Sequence, residues 1–191
     1  MTAPLTPLSE LTPLSALVGL VAEARRGRAL TVVGIGGHGA SGKTTLARAL
    51  AAATDAVQVV STDSFWNGSQ FDLGRLRTEV LDELLAGRDA VYDEWDWAAR
   101  RANGRRTVRC TGIVVVEGVC ALHRMFRDDE QVRVWVEAPA QVRLERGVAR
   151  DGASMRATWT DVWMPNEDAY VRADEPVACA HLVVDGTRPF T

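Results

Sequence analysis

The sequence predicts an α/β fold, a parallel β-sheet of about five strands with helices on both faces. Two observations carry that expectation. From Leu30 onward, short runs rich in β-branched residues alternate with stretches whose apolar residues recur at helical spacing. The chain has 191 residues, 47% hydrophobic and 25% charged, which suits one globular domain spanning 1–191 with a single core.

The elements follow in order. Residues 1–11 are expected to be loosely ordered, and Thr12 is placed to cap a helix that opens on Pro13 and carries Leu14, Leu17, Val18 and Val21 on one face. The first strand is LTVVGI from Leu30, followed by a helix over Lys43 to Ala53. VQVVS from Val57 is the second strand, and the helix after it runs from Leu73 to Ala86. Its Leu73, Leu76, Val80, Leu81, Leu84 and Leu85 form one apolar stripe, with Gly87 as the stop. Ala102-Asn103-Gly104 reads as a turn. IVVVEG from Ile113 and VRVWVE from Val132 are strands, Ala140 to Arg150 is a helix, and HLVVD from His181 is the last strand.

Composition excludes several classes of function. A formal net charge of −3 argues against nucleic acid or an anionic membrane surface as the main partner. Three widely spaced cysteines with no CxxC suggest neither a disulfide framework nor structural zinc, and the histidines have no ligand spacing. Every apolar run is far shorter than a membrane helix needs, so a cytoplasmic protein is expected, with self-assembly into an oligomer left open.

Between the first strand and its helix lies Gly37-His38-Gly39-Ala40-Ser41-Gly42-Lys43-Thr44, which satisfies G-x-x-x-x-G-K-[ST]. Such a loop curls backbone N–H groups around an anion, and the helix it opens, from Lys43 through Thr44 and Thr45, adds its positive end. Lys43 is placed to reach the β- and γ-phosphates and Thr44 to ligand Mg²⁺, so ATP and Mg²⁺ are the expected cofactors on a P-loop NTPase fold. The chain contains no N-K-x-D and no D-x-x-G, which disfavours a GTPase and leaves kinases and ATPases.

Two acids end strands. Asp63 closes the second and lies where open α/β sheets place their ligands, able to accept a proton from an attacking hydroxyl or to hold Mg²⁺ through water. Glu117 closes IVVVEG, as a Walker-B acid does, and could orient the Mg²⁺ water shell. Arg143, Arg146 and Arg150 fall at i, i+3 and i+7, so a helix aligns them on one side; arginine forks suit phosphate oxygens, and the expectation rests on Arg146 and Arg150.

With these pieces in order the chain resembles the uridine kinase-like branch of the P-loop kinases. Asp63-Ser64-Phe65-Trp66 is similar to the family's D-S-F-[YW] motif, whose aspartate serves as the base; Glu117-Gly118-Val119 is similar to E-G-[IV]. The run from Arg143 to Asp151 is similar to R-L-x-R-x-x-x-R-D, which implies a helical lid over about 143–158. The family's Y-D-[FYW] motif, which helps hold the nucleoside, has two registers here, Tyr92-Asp93-Glu94 and Trp95-Asp96-Trp97, and spacing from Gly87 favours the second. The resemblance thus implies Phe65, Trp95, Asp96 and Trp97 at the acceptor. Gly147 stands where a second lid arginine is expected, and Arg156 is the candidate substitute.

The expected activity is transfer of the γ-phosphate of Mg-ATP to a hydroxyl of a small molecule, a nucleoside by the resemblance. The alternatives are another metabolite acceptor (pantothenate, a sugar or a sugar phosphate) or an ATP-binding regulatory protein with slow hydrolysis.

Overall fold

The computed structural model describes residues 12–191; the segment 1–11, expected to be loosely ordered, lies outside them. Helix α1 (Pro13–Ala24) begins where Thr12 accepts a hydrogen bond from the Ser15 N–H at 3.2 Å, so the predicted cap forms. Strands β1 (Leu30–Gly36), β2 (Val57–Ser61), β5 (Gly112–Glu117), β6 (Val132–Glu137) and β7 (Leu182–Asp185) make a five-stranded parallel sheet in the order β2-β5-β1-β6-β7. All five are the runs expected from the sequence.

Alternation along the strands separates two apolar layers. Ile113 and Val115 of β5 turn to one face, with Leu17 and Val21 of α1 and Leu46 and Leu50 of α2 (Lys43–Ala53). Val114 and Val116 turn to the other, against Leu76, Val80, Leu81 and Leu84 of α3 (residues 73–85). The α3 stripe is thus confirmed except at Leu85, which sits at its edge and is exposed. After α3 the Gly87 N–H donates to the Leu84 carbonyl and the Arg88 N–H to that of Glu83, the paired bonds that close a helix on a glycine.

The sequence reading missed an antiparallel hairpin of β3 (Ala90–Asp96) and β4 (Arg101–Val108). Ala102-Asn103-Gly104, expected to be a turn, lies inside β4. Asp93 pairs with Arg105 and Trp95 with Ala102, so Asn103 and Gly104 together face Glu94 alone, and Gly104 has φ +102°. An Asn-Gly pair signals positive φ, and here a β-bulge uses it rather than a chain reversal. The reversal occurs at 97–100, where the Asp96 carboxylate accepts the N–H groups of Ala98 and Ala99.

Helix α4 (Ala140–Asp151) follows β6, and α5 (residues 156–174) follows a short 3₁₀ turn. Among the described residues no helix is long and apolar enough to cross a membrane. The chain leaves β1 toward β2 on one side and later toward β6 on the other, and such a switch opens a crevice above the carboxyl end of β1.

Candidate active site

The loop Gly37–Thr44 crowns β1 at that crevice, with Gly42 as N-cap of α2 and Thr44 and Thr45 exposed in its first turn. Lys43 is buried, and its ammonium donates to the His38 carbonyl at 2.7 Å. Among the described residues no carboxylate comes within ion-pair distance of it, and burial holds its pKa below the usual lysine value against the pull of Glu117, Asp63 and Glu167. A buried cation without a paired anion, on a loop of N–H groups, fits a polyphosphate.

Neighbouring strand ends supply the acids. β2 and β5 pair in register with Ser61 opposite Glu117. Gly118, at φ +148°, lets Thr62 pack directly on its backbone, since a Cβ there would overlap the threonine side chain. That contact draws the Asp63 turn, a 3₁₀ segment over Thr62–Phe65, toward Glu117. Glu117 is buried, accepts the Thr44 hydroxyl at 3.2 Å, and has its pKa raised by burial, with Lys43 opposing. A desolvated carboxylate beside a threonine hydroxyl is a donor set of hard oxygens that fits Mg²⁺. Among the described residues no cluster of three or more His, Cys, Asp or Glu could hold a metal ion, so the nucleotide's own oxygens would complete the ion's shell.

Asp63 remains open to solvent and yet is walled by protein, which places it in the crevice. Burial raises its pKa, and Lys43 and Arg150 pull it back down.

The three arginines of α4 divide. Arg143 is buried; its Nε donates to the Ala138 carbonyl at 3.1 Å and its Nη1 lies 3.5 Å from Glu167, so it is neither solvated nor paired with Glu145 or Asp151. Arg146 donates to the Gly186 carbonyl at 2.9 Å and approaches that of Ser41 at 3.5 Å, against the back of the phosphate loop. Arg150 is held by Asp151 at 2.7 Å and lies 5.8 Å over the Trp159 ring. It is the arginine whose charge is felt by both Asp63 and Lys43. Arg156 is exposed at the start of α5, and its side chain makes no hydrogen bond or ion pair among the described residues.

Trp159 explains Gly147. The buried indole packs so closely on α4 that a Cβ at Gly147 would enter the ring, and a Cβ at Gly39 of the phosphate loop would lie 2.9 Å from it. Its Nε1 donates to Asp151 at 3.0 Å. An arginine is absent at 147 because the ring that joins α4, α5 and the loop occupies its space. Gly147→Ala should therefore cost about 1–3 kcal/mol through overpacking, despite the better helix propensity of alanine. Urea unfolding checks this, and an unchanged midpoint would remove Trp159 as the tight contact.

On the acceptor side two expectations are corrected. Phe65 is fully buried, its ring 4.9 Å from that of Tyr92, so it belongs to the core and not to a binding surface. Asp96 spends its carboxylate on the N–H groups of Ala98 and Ala99 and the Asn103 amide, which hold its pKa down. Trp95 and Trp97 do meet, ring centroids 6.4 Å apart, and Trp97 stacks on Trp66 at 5.7 Å. The Trp95 Nε1 is buried without a partner. Tyr92 lies closer to the aspartate turn, its ring 4.9 Å from that of Phe65. Glu94 accepts from Ser64 at 3.4 Å and from Arg106 at 2.7 Å. Glu94 belongs to the Tyr92-Asp93-Glu94 register, which the spacing from Gly87 disfavoured.

Similarity to known proteins agrees with this geometry. A family model described as an AAA domain matches residues 33–173. A uridine kinase of Deinococcus deserti is 30% identical over 63% of this chain and 68% of its own. The chain belongs to the uridine kinase-like family of P-loop kinases. A Staphylococcus aureus uridine kinase is 25% identical over 79% of this chain and 86% of that one. The solved structure described as a possible uridine kinase from Bacillus stearothermophilus superposes with a TM-score of 0.69 at 20% identity, covering 91% of this chain and 97% of its own, a likeness of fold. Where the resemblance implied a second arginine beside Arg146, this chain has Gly147 packed against Trp159.

Proposed function

We propose that the protein is an ATP-dependent phosphotransferase that moves the γ-phosphoryl group of Mg-ATP to a hydroxyl of a nucleoside of the uridine or cytidine type. The observation that carries this reading is Asp63, a solvent-reachable carboxylate in the crevice, within the field of both Lys43 and Arg150. In this reading Asp63 accepts the proton of the acceptor hydroxyl as its oxygen forms a bond to the γ-phosphorus and the bond to the ADP oxygen breaks. Mg²⁺, when bound, neutralises charge on the phosphates, with Thr44 and Glu117 as its protein partners. Lys43 and Arg150 stabilise the transferring group, Arg146 braces the loop through Ser41 and Gly186, and the region about 143–158 serves as the lid. Trp95, Trp97 and Trp66 offer flat rings for a pyrimidine.

A sugar-type acceptor is the second reading, favoured by one observation. Asp96 is committed to its turn, whereas Glu94 and Arg106 form an ion pair beside Ser64 that reaches solvent, a pair suited to a polyhydroxy or phosphorylated compound. An acceptor screen monitored by ADP release separates the readings. Uridine or cytidine should raise turnover well above basal hydrolysis. Stimulation by sugars or pantothenate alone would transfer the assignment to the second reading, and no stimulation by any acceptor would leave an ATP-binding protein without kinase activity.

A further inference from the structure

The phosphate loop already holds an anion, and it belongs to the chain. Glu167 of α5 accepts the Gly39 N–H at 2.9 Å through Oε2. The same oxygen lies 3.5 Å from Arg143. The fit is close, since a Cβ on Gly39 would lie 2.5 Å from the other carboxylate oxygen. The next residue, Asp168, approaches the His38 imidazole at 3.2 Å, so α5 grips the loop at two successive residues.

The position of this carboxylate along the loop decides what it competes with. The inner half, from Gly42 to Thr44, opens α2 and presents N–H groups at a helix start, the place for the β-phosphate. The outer half contains Gly39. The Lys43 ammonium, which in such loops spans the β- and γ-phosphates, reaches back to the carbonyl of His38, next to Gly39, and feels the charge of Glu167. Glu167 therefore sits at the terminal-phosphate end. We propose that Glu167 is an internal occupant of the γ-phosphate position, which ATP must displace and ADP leaves in place, so that this residue sets the ratio of triphosphate to diphosphate affinity. Two anions crowded onto one N–H in a partly desolvated site repel strongly, and a diphosphate ends short of the contact. After transfer, Glu167 is positioned to return to Gly39 and keep the loop from reloading until the products leave.

The inference rests on the proposed ATP-binding reading, and equilibrium titration of Mg-ATP and Mg-ADP separates the two. Glu167→Gln keeps the shape and an oxygen acceptor for Gly39 while removing the charge; Glu167→Ala removes the occupant. The Gln variant should bind ATP about tenfold more tightly with ADP affinity unchanged, and the Ala variant should show the same asymmetry. Unaltered ADP binding also certifies that each variant is folded. ATP affinity that stays the same or weakens, or equal tightening for both nucleotides, would overturn the proposal while leaving the ATP-binding reading intact. Wild-type protein that binds neither nucleotide would overturn both.

Discussion

Asp63→Asn should lower the turnover of acceptor phosphorylation by roughly two to four orders of magnitude while Mg-ATP affinity stays near that of the wild type. The asparagine is nearly isosteric, so the 3₁₀ turn that carries it and the Thr62 contact with Gly118 should survive. Lost is the acceptor for the hydroxyl proton. In the proposed mechanism Asp63 should also give the reaction its acid limb. Burial lifts its carboxyl above the usual aspartate value, and Lys43 and Arg150 moderate that lift. Because the proposed base is the deprotonated form, activity should fall as the pH drops through this raised pKa, at a higher pH than an ordinary aspartate would give. The residual activity of the variant should lack that limb. Full turnover in Asp63→Asn would remove the residue from the mechanism and leave positioning and charge stabilisation as the whole of the catalysis.

The parts of the site carried by single short segments were legible in the sequence. Gly37 to Thr44 announces a phosphate loop because one uninterrupted stretch must supply the strand end, the N–H groups, the lysine and the helix start. Asp63 and Glu117 were legible because each comes at the end of a β-rich run, Asp63 two residues past the edge strand β2 and Glu117 as the last residue of the buried β5, which puts both at the carboxyl edge of the sheet. The five strands emerged for the same reason, since each is a run of apolar β-branched residues bounded by polar ones.

What escaped depends on contacts distant in sequence. Glu167 could be read from the sequence as an anchor of its helix, but only the fold brings it across 128 positions to Gly39. Arg143 shares its helix face with Arg146 by spacing, yet their guanidinium groups turn to different carbonyls, of Ala138 and Gly186; periodicity fixes where a side chain starts, not where its far end binds. The hairpin escaped because β4 is exposed along all but its last residue, and a ribbon without a buried face writes no hydrophobic alternation. A local signal could have exposed the Phe65 error. Tyr92 alternates with Ala90 on one face of β3, and such a face commonly packs on the apolar neighbour that the preceding turn supplies.

Glu130→Gln should make the protein more stable than the wild type at pH 8 and remove that advantage by pH 5. Glu130 is 3% exposed, and neither carboxyl oxygen has a hydrogen-bond partner. It fills a notch against β1 that exists because residue 34 is glycine; a Cβ there would collide with the carboxyl and with Leu122. Burial pushes its pKa up to about 8, with Arg133 and Arg127 pulling it down and Asp129 adding to the rise. The unfolded chain ionises this group near the ordinary 4.5. Between those values the folded state holds a proton that the unfolded state has released, so the contribution to stability falls as pH rises from about 4.5 to about 8 and levels off on either side. The full span corresponds to on the order of 3–5 kcal/mol, comparable with a sizeable share of the stability of a domain. Glutamine, with the same shape and no charge to release, is exempt from that loss. Urea midpoints of both proteins at pH 5 and pH 8 isolate the effect, because every other titrating group is common to the pair. A difference between wild type and variant that is equal at the two pH values would mean that Glu130 is already ionised or solvated in the folded protein. The notch also adjoins the site, since Gly34 lies three residues before the phosphate loop begins at Gly37. Charging the notch therefore loads the strand on which Lys43 and its N–H cradle are mounted.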